Sequence, residues 1–401
     1  MGMMEKYKLT PQSLTTIVII VLVIIGVVIG AVLVNNNNQN SPNTQPHLLF
    51  GDSTKGQLYT TDAAGTQQAK FAYPKNSYPY FQASAPGGSL LLSVNTNTPS
   101  ESFIFVQSGA QQSLPAASVS QLHASVTVNQ SHQLYFVDST TVLMVTCPDA
   151  NTSCSLDKLN LVNGKMTKLL DTGVKQASSF FPQVYLVGYS ASSNSAYLRV
   201  TAANKLGKSA SAIYQVSLKT TKVVKTINVP VIAGYAISLS ADQSKLAYQT
   251  IDVKDKTTIH ISDLKANTSQ IVDFSLGNLI NSPEALKWSP DNKKLLVQTV
   301  SISVPASAGQ SAVLKPLITA YIDTGNGNSV NDLQQIKNPA RQTLVYQGWT
   351  DNDTIVYQNK QASSDYDFVN GTNQTFKENV TKLQVSNLSV PPGNLLQVTN
   401  Y

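Results

Sequence analysis

Two apolar patterns divide the chain. From Ile17 to Val34 it reads IVIIVLVIIGVVIGAVLV, and Leu14 to Thr16 extend this run to residues 14–34 without a charge. At about 1.5 Å per residue, a helix of that length matches the roughly 30 Å hydrocarbon core of a bilayer, so the pattern predicts a single N-terminal transmembrane α-helix. A cleaved signal peptide has a shorter apolar core and a small-x-small cleavage site. Gly30-Ala31 is a poor site of that kind, which favours an uncleaved signal anchor. Lys6 and Lys8 precede the helix while 35–51 carry no charge. The excess of positive charge on the first side makes 1–13 a cytoplasmic tail and places everything after the helix outside the cytoplasm. Gly26 and Gly30 form a GxxxG pair on which two such helices could dimerise, although Gly is also simply common in membrane helices. Residues 35–46, NNNNQNSPNTQP, are polar and broken by proline, a composition suited to a stalk rather than a core.

From residue 47 onward the apolar residues alternate with polar ones over short runs, the period of strands, and no 3.6-residue period stands out. The runs recur as a unit: a β run, a turn of the Ser-Pro/Ala-Asp-Asn/Gln kind, then a second β run. YAISLSADQSKLAYQTI (235–251), ALKWSPDNKKLLVQTV (285–300) and YQGWTDNDTIVYQN (346–359) are the clearest copies. YFQASAPGGSLLLSV (80–94), HASVTVNQSHQLYFVD (123–138) and VYLVGYSASSNSAYLRVT (184–201) are weaker ones. Anchors at Ala85, Asn129, Ser190, Ser240, Ser289 and Thr350 lie 44 to 61 residues apart. Third and fourth strands follow in segments such as IHISDLKANTSQIVDF, AIYQVSLKTTKVVKTI and KLQVSNLSVPPGNLLQVTN. Four short strands per repeat make a propeller blade, so 47–401 is expected to be an extracytoplasmic all-β propeller. Leu48 to Phe71 supplies strands two to four of one more unit. Seven blades follow, with six as the alternative because that unit has no assigned innermost strand.

The turns SPDNKKLLV and SADQSKLAY and the closing QVTN resemble the WD40-like repeat of TolB-type β-propellers, whose blades turn through Ser-Pro-Asp-Gly. Here Asn292 and Gln243 stand where that Gly would be. The resemblance implies a non-catalytic scaffold that presents one loop-rich face to a protein, peptide or envelope ligand.

Composition limits the alternatives. Only 12% of residues are charged, and Ser, Thr, Asn and Gln carry the polar surface, as on extracytoplasmic proteins. The net charge of +6 rests almost wholly on scattered lysines, with Arg199 and Arg341 the only arginines, which leaves no clamp for nucleic acid. The two cysteines, Cys147 and Cys154, bracket a short Pro/Asp/Asn loop; a disulfide is expected, two free thiols being the alternative. No Cys or His cluster suits a metal, and no cofactor motif is present.

Long insertions between second and third strands are expected at 147–158, 301–316 and 361–377. Within the last, Asp365, Tyr366 and Asp367 are candidate binding-loop residues. Asp351/Asp353 and DTGNGN (323–328) read as turn chemistry, and GYSAS (188–192) lacks the final Gly of a nucleophile elbow. The competing function is a hydrolase or lyase acting on glycan or a small ester in the central channel. That reading needs converging acid and base groups on innermost strands, and AISLS, ALKWS, YQGWT and ASVTV are apolar or hydroxylic.

Overall fold

The computed structural model describes residues 46–401, apart from 86–87, 96–100, 129–130, 150–151, 176–182, 204–208, 230–235, 252–256, 267, 274–277, 280–285, 304–312, 328, 333–341, 362–373, 383, 392–393 and 401. The tail, the apolar run with Gly26 and Gly30, and all of the stalk but its last residue lie outside the described residues, as do Asp365, Tyr366 and Asp367. No helix among the described residues is long and apolar enough to cross a membrane. Pro46, assigned above to the stalk, already begins the first strand.

The alternating segments form seven four-stranded antiparallel blades, one of which gains an extra two-residue strand. Blade 2 runs Tyr78–Ala85, Ser89–Asn95, Ser102–Gln107 and Ala110–Gln112, from the innermost strand outward. Blade 3 runs Tyr135–Phe136, Thr141–Thr146, Ser153–Asn160 and Met166–Lys175. Blades 4 and 5 start from Val184–Ser190 and Ile237–Leu239, and blades 6 and 7 from Leu286–Trp288 and Gln342–Trp349. Blade 1 is built differently. Its outer three strands are Pro46–Asp52, Gln57–Asp62 and Gln67–Ala72, and its innermost is the C-terminal strand Asn394–Asn400.

That strand is the one the sequence left unassigned. NLLQVTN is not the fourth strand of blade 7, a place taken by Gln384–Leu388; it crosses to blade 1, pairing Leu48 with Val398 and Leu49 with Gln397. Each innermost strand contacts the next around the circle, from Asn394–Asn400 through blades 2 to 7 and back to Asn394–Asn400. The ring is therefore closed and seven-bladed, and the final strand joins its two ends.

Period-2 alternation explains why blades stack. In Lys245–Ile251, Leu246 and Tyr248 face blade 4 while Ala247 faces blade 6, so one strand feeds two seams. Every seam between neighbouring blades holds one apolar cluster, such as Leu48, Phe50, Tyr59 and Leu395 with Val356 between blades 1 and 7. A single sheet could bury only one of these faces, and radial stacking buries both while leaving short protected edges.

Blade 3 departs from the expected repeat. HASVTV is not an innermost strand: a short helix, α1 (Ala116–His123), precedes it, and Thr127–Val128 pairs with Ser131–His132 in a small hairpin. The turn equivalent to the Ser-Pro-Asp turns falls at Val137, whose N–H donates to the Thr141 carbonyl, rather than at Asn129. The helix has two turns and buries only Ser118 and Leu122, too few positions to register as a 3.6-residue period. Ser118 Oγ donates to the Leu161 carbonyl and Leu122 joins the cluster between blades 2 and 3, so α1 covers that seam.

Candidate binding site

The turns between first and second strands carry a repeated bridge from blade to blade. In blades 5 and 6 the serine opening the turn, Ser240 or Ser289, donates to Asp242 or Asp291 and accepts from the N–H of Lys245 or Lys294. The next residues, Gln243 and Asn292, have φ of 56° and 60°, the left-handed region that explains why the related repeat uses Gly. Their amide side chains reach back to the preceding blade: Ala241 N–H donates to Asn292 Oδ1 at 2.8 Å, and Ser190 Oγ donates to Gln243 Oε1 at 2.8 Å. The lysines reach forward. Lys245 Nζ donates to the Asn292 carbonyl and to Thr324 Oγ1, and Lys294 Nζ to the Asn352 carbonyl and Asp353 Oδ1. Trp288 Nε1 donates to the Ser238 carbonyl and Trp349 Nε1 to the Lys287 carbonyl, locking adjacent innermost strands.

Along the channel side of blade 4, between the innermost strands of blades 3 and 5, lies a cavity of about 290 Å³. Tyr135, Tyr185, Tyr189, Gln133, Gln243, Ser238 and Ser240 line it together with Leu186, Val187, Gly188, Ile237, Leu239 and Ala241. A bulge shapes its floor. Leu186 pairs with Leu198 and Gly188 with Tyr197, so Val187 is skipped and its carbonyl is free to accept from Tyr135 Oη of blade 3 at 2.5 Å. The same skip occurs at Gln82, Val345 and Leu396 in three other innermost strands, where it bends the strand around the axis. Gly188 sits where a Cβ would come within 3.0 Å of Leu239, which keeps blades 4 and 5 close at the cavity wall.

Electrostatically the lining is neutral. Burial pushes the Tyr135 phenol well above its ordinary range, and it raises Tyr189 too, with a contribution from Asp138. Asp138 and Asp242 flank the cavity from the turns of blades 3 and 5. Burial opposes the ionisation of each, yet hydrogen bonds from Thr140 to Asp138, and from Ser244 and Ser240 to Asp242, hold both carboxyls below the usual carboxylate value.

The structure sorts the other candidates. Cys147 and Cys154 form a disulfide, S–S 2.05 Å, with Cys154 buried between blades 3 and 4. The insertion read as 147–158 is shorter than expected, since Ser153–Asn160 is already the third strand; likewise strands occupy both ends of 301–316 and 361–377. Asp353 N–H donates to Asp351 Oδ1 and Gly325 N–H to Asp323 Oδ1, the turn roles expected of them. Ser190 of GYSAS leads into the strand Ser195–Ala203, not a helix. His123, in the last turn of α1, hydrogen-bonds the Glu101 carbonyl through Nε2, and His260 stacks on Tyr248 with its pKa lowered by burial. Among the described residues no three of His, Cys, Asp and Glu are placed to hold a metal.

The cavity itself was missed in the sequence. Its signal was the tyrosine content of LYF (134–136) and VYLVGYS (184–190), which reads as ordinary β propensity until the ring brings the two strands together.

No protein-family model and no curated protein matches the sequence. Among solved structures, TolB from Acinetobacter baumannii is similar at 10% identity and a TM-score of 0.43, covering 73% of this chain and 64% of its own. The putative TolB from Agrobacterium tumefaciens gives 12% and 0.37, over 86% and 88%. Hydrazine synthase from Kuenenia stuttgartiensis gives 12% and 0.44, over 77% and 94%. This chain thus spans less than two thirds of the Acinetobacter protein. The neighbours include TolB-type proteins, as the turn motifs led one to expect, and the seven closed blades of this chain stand on its own strand order.

Proposed function

We propose that the chain is a non-catalytic binding scaffold, a β-propeller tethered to the outer face of a cell membrane by its N-terminal apolar run. The cavity on the channel side of blade 4 carries the binding part of this reading: its polar groups are phenols, amides and hydroxyls, which recognise a ligand without supplying an acid and a base in reach of one atom. A hydrolase or lyase would need that acid and base. The uncharged run at 14–34, the lysines before it and the neutral segment after it support the tether and its orientation. The disulfide is of the kind that persists in oxidising compartments and fits an extracytoplasmic domain. The ligand or partner is accordingly a component of the envelope.

Fractionation of cells expressing the full chain tests the tether. The protein should pellet with membranes, resist carbonate extraction and dissolve in detergent, whereas a chain lacking 1–34 should not pellet. Protease added to intact cells should digest the propeller. A propeller protected in intact cells, or a full chain released by carbonate, would overturn the placement.

A further inference from the structure

We infer that Asn387, on the outermost strand of blade 7, is N-glycosylated at the outer face of the membrane, and that the saccharide it carries covers the open edge of that blade. The inference rests on the extracytoplasmic placement proposed above and adds a modification site to it.

Asn387-Leu388-Ser389 is an Asn-x-Ser acceptor triplet with no proline at its centre. Such triplets are common in a chain this rich in Asn, Ser and Thr, so position has to single one out. Two others in blade 7 lie in turns. Asn352 stands exposed between the first two strands, where Asn is an ordinary choice, and Asn379 Oδ1 accepts from Thr381 Oγ1 and Lys382 N–H between the last two. Asn387 has neither role. It stands inside the strand Gln384–Leu388, a setting in which Asn is depleted, with its side chain exposed and without a hydrogen bond to any described residue.

That strand also lacks the usual guard of an edge. The outer side of Gln384–Leu388 faces no further strand, and such an edge invites pairing with another chain unless it is short, charged or covered. The outermost strands of blades 1, 3, 4, 5 and 6 each include a charged residue, such as Lys70, Lys168, Lys222, Asp273 and Asp332. That of blade 2, Ala110–Gln112, has three residues. Blade 7 instead ends on five residues without charge, QVSNL, in which Val385 is 39% exposed. Asn387 is placed to cover them. Leu388 packs toward blade 1, while Asn387 lies opposite Phe376, a member of the cluster between blades 6 and 7. By the two-residue period of a strand, Asn387 and Val385 share the blade 6 side, so a sugar on the first lies over the second.

The reaction needs one co-reactant, a lipid-linked saccharide presented at the outer face of the membrane. Asn387 Nδ2 forms a bond to the anomeric carbon. The bond from that carbon to the lipid phosphate oxygen breaks, its electron pair leaves on the phosphate, and the amide proton passes to a base of the transferring enzyme.

The test takes the full chain, in detergent, from the membranes of the cells that make it. Trypsin releases 383–401 as one peptide, since no Lys or Arg follows Lys382, and Asn387 heads the one acceptor triplet in it. Mass spectrometry should find this peptide with the added mass of a saccharide, and fragmentation should place it on Asn387. Asn387→Gln and Ser389→Ala should each lose the added mass, and Ser389→Thr should keep it. Unchanged thermal midpoints establish that the variants fold. On size exclusion the Ser389→Ala chain should shift toward larger species than wild type, and adding Val385→Lys should reverse the shift by supplying a charge to the edge. A peptide found only at its unmodified mass, or an added mass that survives Ser389→Ala, overturns the site; a Ser389→Ala chain that elutes as wild type overturns the cover. A bare peptide from a propeller that protease reaches in intact cells leaves the placement standing and removes only this site, whereas a bare peptide from a protected propeller removes both.

Discussion

At the scale of the residue, the position after the turn aspartate decides how blades are joined. Gly would adopt φ near 60° without strain, whereas a side chain there costs on the order of 1 kcal/mol, less for Asn, which tolerates this region best. Asn292 offsets that cost by accepting from Ala241 N–H of the neighbouring blade, a bond of about 0.5 to 1.5 kcal/mol. Two substitutions separate the terms. Asn292→Gly loses the bond and gains backbone freedom, so it should lower stability by only about 0.5 kcal/mol. Asn292→Ala loses the bond and keeps the strain, and should cost about 1 to 2 kcal/mol. Urea unfolding of the two variants checks the order; a glycine variant more stable than wild type would show that the backbone strain at this position outweighs the bridge. The sequence displayed Asn292 and Gln243 as departures from the related turn, and what it could not display was their partners, Ala241 and Ser190, which lie 51 and 53 residues away.

At the scale of the element, the turns explain both what was legible in advance and what acid should do to the fold. Ser240, Asp242 and Ser244 interact within five residues, so their turn shows in the local sequence, and the second strands that follow were placed correctly from it. Blade 3 was misread because Ala124 to Val128 alternates like a strand while the true innermost strand, Tyr135–Phe136, is only two residues long. The cavity was invisible for a related reason: it needs three strands about fifty residues apart to meet, and no local pattern reports such a meeting. The same turn bonds set the pH response. Despite burial, hydrogen bonds lower the folded pKa of Asp242 and Asp138 below the ordinary 3.8. Each therefore contributes stability above that value and loses it as pH falls through the folded pKa. Asp242→Asn cannot titrate. Its deficit relative to wild type should be largest near about pH 6 and shrink toward about pH 3. Urea midpoints measured across that range check this, and a deficit that stays constant would mean the carboxylate's charge is not what the turn uses.

At the scale of the whole molecule, closure depends on the last strand. Asn394–Asn400 fills the innermost place of blade 1, touches the innermost strands of blades 2 and 7, and accounts for the long separation between paired residues such as Leu48 and Val398. Sequence patterns marked it as a strand and attached it to the blade before it, because adjacency along the chain is the stronger prior when no long-range pairing is known. The fit is close. A Cβ on Gly348 of blade 7 would come within 2.7 Å of Val398, and Gln358 of blade 7 accepts from Leu395 N–H at 2.8 Å. Two perturbations of different size follow. Gly348→Ala forces one methyl into that contact and should destabilise by about 1 to 3 kcal/mol, the usual cost of overpacking. Ending the chain at Ser389 removes the strand altogether: Leu48, Leu49 and Phe50 lose their cover, and the second strand of blade 1 becomes an unpaired edge facing the channel. The outcome should differ in kind from that of the point substitution, since both seams of blade 1 lose members while the other five seams keep their clusters. Pulsed proteolysis and thermal unfolding read this directly, with early cleavage in 46–72 and a broadened transition in the truncated chain. A sharp, single transition close to that of the full chain would mean that blades 2 to 7 hold the ring without its closing strand.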